Sequence, residues 1–259
     1  MNLPSQVDPD LFYPESDGKP MADNTKQFRW IVTIKENLEI LFATQGDVFI
    51  AGDLLWYPIQ GDNKTCQAPD AMVVFGRPKG DRRSYKQWEE DWLAPQVVFE
   101  ILSPCNTKAE MHRKLAFYET HSVEEYYLYD PDRRVLKGWL RQGQQLLPIS
   151  SIVGWVSPRL GIRFAQPQGE LEIYRPDGQK FLTSIELDAA IAQERHRADQ
   201  ERHRADQEQQ RANQAESQLA NVIRSLLRSG MEKNQVAALT GVEIAQVERF
   251  AMQEPPNDE

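Results

Sequence analysis

From residue 193 the chain repeats itself: QERHRAD at 193–199 returns intact at 200–206, and QEQQRAN at 207–213 is a looser third copy. A seven-residue period commits this stretch to helix and raises the question of a coiled coil. One seam position would read Ile191, Ala198, Ala205, Ala212, Leu219 and Leu226; its partner would read Glu194, Glu201, Glu208, Ala215 and Val222. Alanine against glutamate makes a poor zipper. Glu194/Arg197, Glu201/Arg204 and Glu208/Arg211 fall at i,i+3, and Arg195/Asp199 and Arg202/Asp206 at i,i+4. Each such pair adds roughly 0.2–0.5 kcal/mol to an exposed helix. The pattern predicts a solvated helix of about 40 residues, roughly 60 Å long at 1.5 Å per residue, with any coiled-coil association weak and confined to its apolar ends.

Such a helix supplies no core, so a core must come from the residues before it. Aromatic, β-branched and proline residues are spread evenly up to about residue 185, after which Gln, Glu, Arg and Ala dominate. This divides the chain into a globular domain over 1–185, the charged helix over 186–228 and a tail over 229–259. The 259 residues, 40% of them hydrophobic, suffice for one or two domains with a real core. The net charge of −9 argues against a polyanion-binding surface along the whole chain, so nucleic-acid contact needs a local patch. Cys66 and Cys105 are too few for a disulfide framework or a four-thiolate zinc site and read as ordinary reduced thiols. The polar, acidic start MNLPSQVDPD does not read as a signal peptide, and no apolar run approaches the ~20 residues of a membrane span. The expectation is a cytoplasmic protein with no membrane partner.

Residues 1–23 read as an irregular lead-in. Asn24 or Thr25 can cap a helix to about Phe42, with Phe28, Ile31, Leu38, Leu41 and Phe42 near one buried stripe. Short β-rich runs follow at Val48–Ala51, Leu54–Tyr57, Ala71–Phe75, Gln96–Leu102, Glu125–Tyr129 and Val135–Leu140, with weaker ones at Ile162–Phe164 and Leu171–Tyr174. A helix over Thr107–Thr120 separates the fourth run from the fifth. A helix, a strand meander and a strand–helix–strand crossover make an α/β layered pattern. In the tail, Met231–Ala238 and Glu243–Met252 read as short helices joined by a turn containing Gly241, resembling a helix-turn-helix. The second of these carries Glu243, Glu248 and Arg249, so packing or a protein partner is favoured over DNA reading.

Glu100 interrupts the apolar run QVVFEIL at 96–102. On a central strand an unpaired buried carboxylate costs several kcal/mol, tolerated where it binds metal, pairs with a cation or does chemistry. On an edge strand Glu100 would face water, but Val98 and Leu102 would then share that wet face. Asp70 follows Pro69 and opens the apolar run to Phe75; alone, it is equally a turn residue. Lys114 lies on the helix after the Glu100 run, with Glu110 at i−4 and Tyr118 at i+4; alone, it is a solvated ion-pair partner.

Pro-Asp, then about thirty residues, then an apolar strand carrying Glu, then a helix carrying Lys: with this set the chain resembles the Uma-two restriction-endonuclease family of the PD-(D/E)XK nuclease superfamily. The matching stretches are APDAMVVF (68–75), QVVFEILSPCNTKAEMHRKLAFYE (96–119) and VEEYYLYDPD (123–132), with SDGKPMADNT (16–25) and AGDLLWYP (51–58), so that residues 10–185 are covered. The resemblance implies a restriction-endonuclease-like mixed sheet flanked by helices. It implies Mg²⁺-dependent cleavage of DNA, with Mn²⁺ as a substitute, and a homodimer if both strands are cut. It assigns Asp70 and Glu100 as metal ligands with the Ile101 carbonyl. The superfamily pattern has Lys two residues after the Glu, where this chain has Leu102; the resemblance assigns that role to Lys114. Glu36, Glu39 and Asp53 stay open as further carboxylates.

Arg77, Lys79, Arg82 and Arg83, with Lys86, form a basic loop opposed by Asp81 and are the candidate DNA contacts, equally readable as a solvated loop. Trp88 and Trp92 read as packing residues. The four histidines lack zinc-ligand spacing and read as non-catalytic. A second class of function stays open: a non-catalytic DNA- or protein-binding module that keeps the nuclease fold, with the long helix as its working part.

Overall fold

The structure, a computed structural model, describes residues 11–18 and 20–252. Residues 1–10 and 19 of the lead-in and the last seven residues of the tail lie outside the described residues. The chain forms two compact units, Met1–Leu187 and Asp188–Glu259.

The first unit opens with α1 (Thr25–Leu41), capped by Asn24, whose side-chain oxygen accepts from the Lys26 and Gln27 amides at 3.1 and 2.9 Å. Ten strands follow with one further helix among them: β1 (Val48–Ala51), β2 (Trp56–Tyr57), β3 (Ala71–Phe75), β4 (Tyr85–Lys86), β5 (Val97–Ile101), α2 (Lys108–Thr120), β6 (Glu125–Asp130), β7 (Val135–Gln142), β8 (Gln145–Pro148), β9 (Arg163–Ala165) and β10 (Glu172–Tyr174). Six strands form one mixed sheet in the order β1-β3-β5-β6-β7-β8. Within this sheet β5 and β6 are the one parallel pair among the described residues, as the crossover through α2 requires; β2 and β4 also pair in parallel, outside it. β9 pairs with β10, and β2 with β4, in two small sheets.

Alternation along the strands gives the sheet two buried faces. Val97, Phe99 and Ile101 point into one core with Ile31, Ile34 and Leu38 of α1 and Phe164 and Ile173 of β9 and β10. Val98 points into the other, with Met72, Val74, Tyr118, Tyr126 and Leu128. β5 is therefore central and buried along its full length, which excludes the edge-strand alternative for Glu100.

Three expectations need correction. Phe28 is 49% exposed, and the inward stripe of α1 runs through Gln27, Ile31, Ile34 and Leu38. That stripe begins with a polar residue, which hydrophobic spacing does not reveal. The Leu54–Tyr57 run forms only the two-residue β2. β4 and β8 have no counterpart among the expected runs: β4 is two residues long, and of β8 only Leu146 is buried, after a turn through Gly143 at φ +63.

The second unit takes in most of α3 (Ser184–Arg228), 45 residues or about 68 Å. Residues 188–218 are exposed throughout. At its far end Ala220 and Ile223 pack with Val236 and Ala237 of α4 (Lys233–Thr240) and Val247 and Phe250 of α5 (Ile244–Met252). Gly241, at φ +72, ends α4. The tail thus folds back on its own helix as a small core. Among the described residues no helix is long and apolar enough to cross a membrane.

Candidate active site

Two neighbouring strands bring the acids together. Ala71 faces Phe99 and Met72 faces Val98, so continuing the register one step sets Asp70 across from Glu100. Opposed residues of an antiparallel pair share a face. Here it is the face covered by α2, and both carboxylates are buried there, at 8% and 3% exposure. One Asp70 oxygen accepts the Ile101 amide at 2.6 Å. The Ile101 carbonyl accepts from Gln27 Nε2 of α1 at 2.8 Å, so the polar residue on the inward stripe of α1 reaches through to this site.

The positive partner comes from α2. Thr107 and Glu110 close a capping box at the start of that helix, fixing the phase at which it crosses the sheet. Lys114 and Tyr118, one turn apart, then share a face. Lys114 Nζ meets Glu100 Oε2 at 2.7 Å, and the Tyr118 hydroxyl donates to Glu100 Oε1. Before the helix, Ser103 and Asn106 tie the loop: the Ser103 amide donates to Asn106 Oδ1 at 2.8 Å, and the Ser103 hydroxyl donates to Asp23.

The electrostatics follow from two buried acids sharing one cation. Burial first, and then the Glu100 charge, push the Asp70 carboxyl well above the usual aspartate range, against the pull of Lys114 and the Ile101 amide. Burial also pulls the Lys114 ammonium down, but Glu100 and Asp70 outweigh it and its net shift is upward. Burial, then Glu100, hold Tyr118 well above the usual phenol range, so it remains a donor. Asp53 is raised by burial, then by Asp17.

Asp70, Glu100, Ile101 and Lys114 line a cleft of about 610 Å³, together with Asp17, Asp23 and Asp53; Tyr118 is not part of its lining. Asp53 is placed there by its amide, which donates to the Pro69 carbonyl at 2.9 Å. Of the three further carboxylates left open by sequence, Asp53 is the one that lines the cleft. Glu36 pairs with Lys35 at 3.0 Å, and Glu39 with Lys79 at 3.5 Å. Among the described residues no three His, Cys, Asp or Glu side chains converge as a metal site. What the cleft offers is two adjacent carboxylates and a backbone carbonyl with a free lone pair. Mg²⁺ commonly takes one or two carboxylates, with waters and phosphate oxygens completing its shell, so the donor set fits.

The basic loop lies elsewhere. Arg77 Nε pairs with Glu90 at 2.9 Å and the same guanidinium pairs with Asp91; Arg82 Nε meets Glu90 at 2.6 Å and stacks 3.8 Å over the Phe49 ring. The Arg77 and Arg82 side chains are only 15% and 12% exposed, so both guanidinia fasten the loop. Arg83 is exposed and pairs with Glu15 at 2.7 Å. None of Arg77, Lys79, Arg82 and Arg83 lines the acidic cleft; its cations are Lys114 and Arg113. Trp88 packs 4.9 Å from Tyr13, but Trp92 is exposed, turned outward by positive φ at Asp91 and Trp92.

Sequence reasoning missed the roles of Tyr118 and Gln27. Tyr118 carried a usable signal, the four-residue spacing from Lys114. Gln27 carried none, since its partner lies 74 residues away.

The family model described as "Uma2: Putative restriction endonuclease" matches residues 17–165. No curated protein matches the chain. Among solved structures, one titled as a putative nuclease belonging to DUF820, from Anabaena variabilis, is similar at a TM-score of 0.41 and 17% identity, over 54% of this chain and 74% of that one.

Proposed function

This chain belongs to the Uma2 family, and from that premise we propose that it is a metal-dependent endonuclease hydrolysing DNA phosphodiester bonds. The observation that supports the reading is the pair Asp70 and Glu100, buried side by side on the floor of an open cleft, with Lys114 held on Glu100. Asp70, Glu100 and the Ile101 carbonyl would hold Mg²⁺, or Mn²⁺ in its place. When bound, the ion supplies Lewis-acid charge at the phosphate and lowers the pKa of a water.

The chain's own groups do the rest. Tyr118 and Lys114 fix both Glu100 oxygens, leaving each with a lone pair toward the cleft. Gln27 fixes the Ile101 carbonyl in the same way. Lys114 lines the cleft and spends one of its three N–H donors on Glu100, which leaves two for the charge that would develop on the phosphate. Because that lysine is prepositioned and 15% exposed, little reorganisation is needed as the reaction proceeds. Cutting both strands would use two copies of the site, with α3 and its tail available for assembly as a homodimer or with another protein.

The experiment is plasmid and oligonucleotide cleavage with Mg²⁺, Mn²⁺ or EDTA, with Asp70→Ala and Glu100→Gln beside the parent. Cleavage that needs metal and vanishes in both variants supports the reading. A folded parent that cuts nothing in either metal, or a Glu100→Gln variant that cuts like the parent, refutes it. The first outcome favours the non-catalytic binding module.

A further inference from the structure

α2 separates two pockets of opposite character. The acidic cleft lies on one side; on the other, between α2, β6 and β7, is a pocket of about 360 Å³. Asn106 and Thr107 line both, so the two are neighbours. The charged or titratable residues lining the second pocket are Lys108, His112, Arg133, Lys137 and the phenol Tyr126, with no carboxylate among them, in a chain of net charge −9. Among the described residues Lys108 and Lys137 form no ion pair, and the exposed Arg133 guanidinium makes a 3.8 Å ion pair with Asp130. Behind these cations lies an aromatic wall: Tyr126 and Trp139 stack at 5.0 Å with 20° between their planes. The Tyr126 hydroxyl is buried and has no hydrogen-bond partner among the described residues.

We propose that this pocket holds one nucleotide of the substrate strand, next to the nucleotide being cut. The inference rests on the nucleic-acid substrate proposed above. Trp139, partly exposed and backed by the buried Tyr126 ring, suits the face of a base, which such surfaces bind without regard to sequence. An all-basic rim suits the phosphate attached to it. A purely apolar ligand would leave the cations unused, and a free phosphate would leave the aromatic wall unused. The position also fits: α2 carries Lys108 and His112 toward this pocket and Lys114 toward the acids, so a strand crossing the start of α2 at Asn106 and Thr107 meets both.

The test is equilibrium binding of the full chain to a labelled single-stranded oligonucleotide in EDTA, where metal-dependent cleavage is off. Lys108→Gln with Lys137→Gln is expected to weaken binding about tenfold at low salt. It should also lower the slope of log affinity against log salt by about 0.7 per lysine. Lys64→Gln, an exposed lysine that lines neither pocket, should match the parent. An oligonucleotide of abasic residues should bind the parent several-fold more weakly, through loss of stacking. Unchanged binding by the double lysine variant overturns the pocket, as does equal affinity for abasic and normal strands. Binding of a mononucleotide with none of the strand overturns the choice of a strand nucleotide. Failure of the nuclease reading shows separately, as a parent that binds the strand through these lysines yet cuts nothing in Mg²⁺ or Mn²⁺.

Discussion

Two glutamates are buried on adjacent strands of the same sheet, and they are used in opposite ways. Glu125 on β6 is 1% exposed; Glu100 on β5 is 3% exposed. Glu125 is closed in by neutral donors: the Tyr127 hydroxyl at 2.8 Å, the Ser157 hydroxyl, and the Arg159 amide at 2.7 Å. Tyr127 lies on the same strand and Ser157 and Arg159 on the segment before β9, and Glu125 lines neither of the two pockets described. Glu100 instead faces a second acid, is held by a cation, and opens onto a cleft. Burial is common to both, so burial alone does not mark a reactive carboxylate. The distinguishing features are an opposed like charge and access to a ligand.

That contrast can be broken by experiment. The largest effect is expected at Glu100: Glu100→Gln should reduce cleavage at least ~1000-fold, as loss of a metal-holding group does, while thermal unfolding stays close to the parent's. Next comes Lys114→Gln, expected to slow single-turnover cleavage ~100- to 1000-fold, the usual cost of losing one prepositioned donor. At Glu125 the expected pattern is reversed. Glu125→Leu strands three donors and should destabilise the fold by about 3 kcal/mol or more, read by urea unfolding, with activity per folded molecule retained. If Glu125→Leu abolishes cleavage in protein shown to be folded, the division between the two sites fails.

The smallest effect is one of pH. Burial raises the Glu125 carboxyl above its usual 4.5, despite its hydrogen bonds from Ser157, Tyr127 and Arg159. The folded state therefore holds this proton more tightly than the unfolded state does. The associated stability is fully present below the unfolded value and is lost as pH rises through the folded one. Glu125→Gln removes that dependence, since the amide does not titrate. The unfolding free energy of the parent minus that of the variant should thus fall as pH rises from about 4 to 7, and a flat or rising difference would reject the assignment.

Much of the fold was legible because its signals are local. Val48–Ala51 and Ala71–Phe75 form strands over the spans their composition suggests, and the α2 helix begins one residue after its expected start. The short helices of the tail are displaced by only one or two residues at their termini. Gln145–Pro148 was not legible, because an edge strand with only Leu146 buried carries neither alternation nor a strong β composition. The site was half legible. Asp70 and Glu100 stand out by their positions in apolar runs, yet Glu125, equally buried, is hidden in VEEYYLYD beside Glu124.

The sequence by itself determined the periodicities: where strands alternate, where the helix begins that repeats every seven residues, and which acids interrupt apolar runs. Those depend on neighbours within a turn or a pleat. Only the tertiary structure decided that β5 lies between β3 and β6, which makes Glu100 a buried group opposite Asp70. Only it gave Arg77 and Arg82 to Glu90 rather than to a free basic face, and brought Gln27 to the Ile101 carbonyl. A charge or an amide has no intrinsic partner. In a buried setting it must be satisfied, and what satisfies it is whatever the strand order brings within about 3 Å.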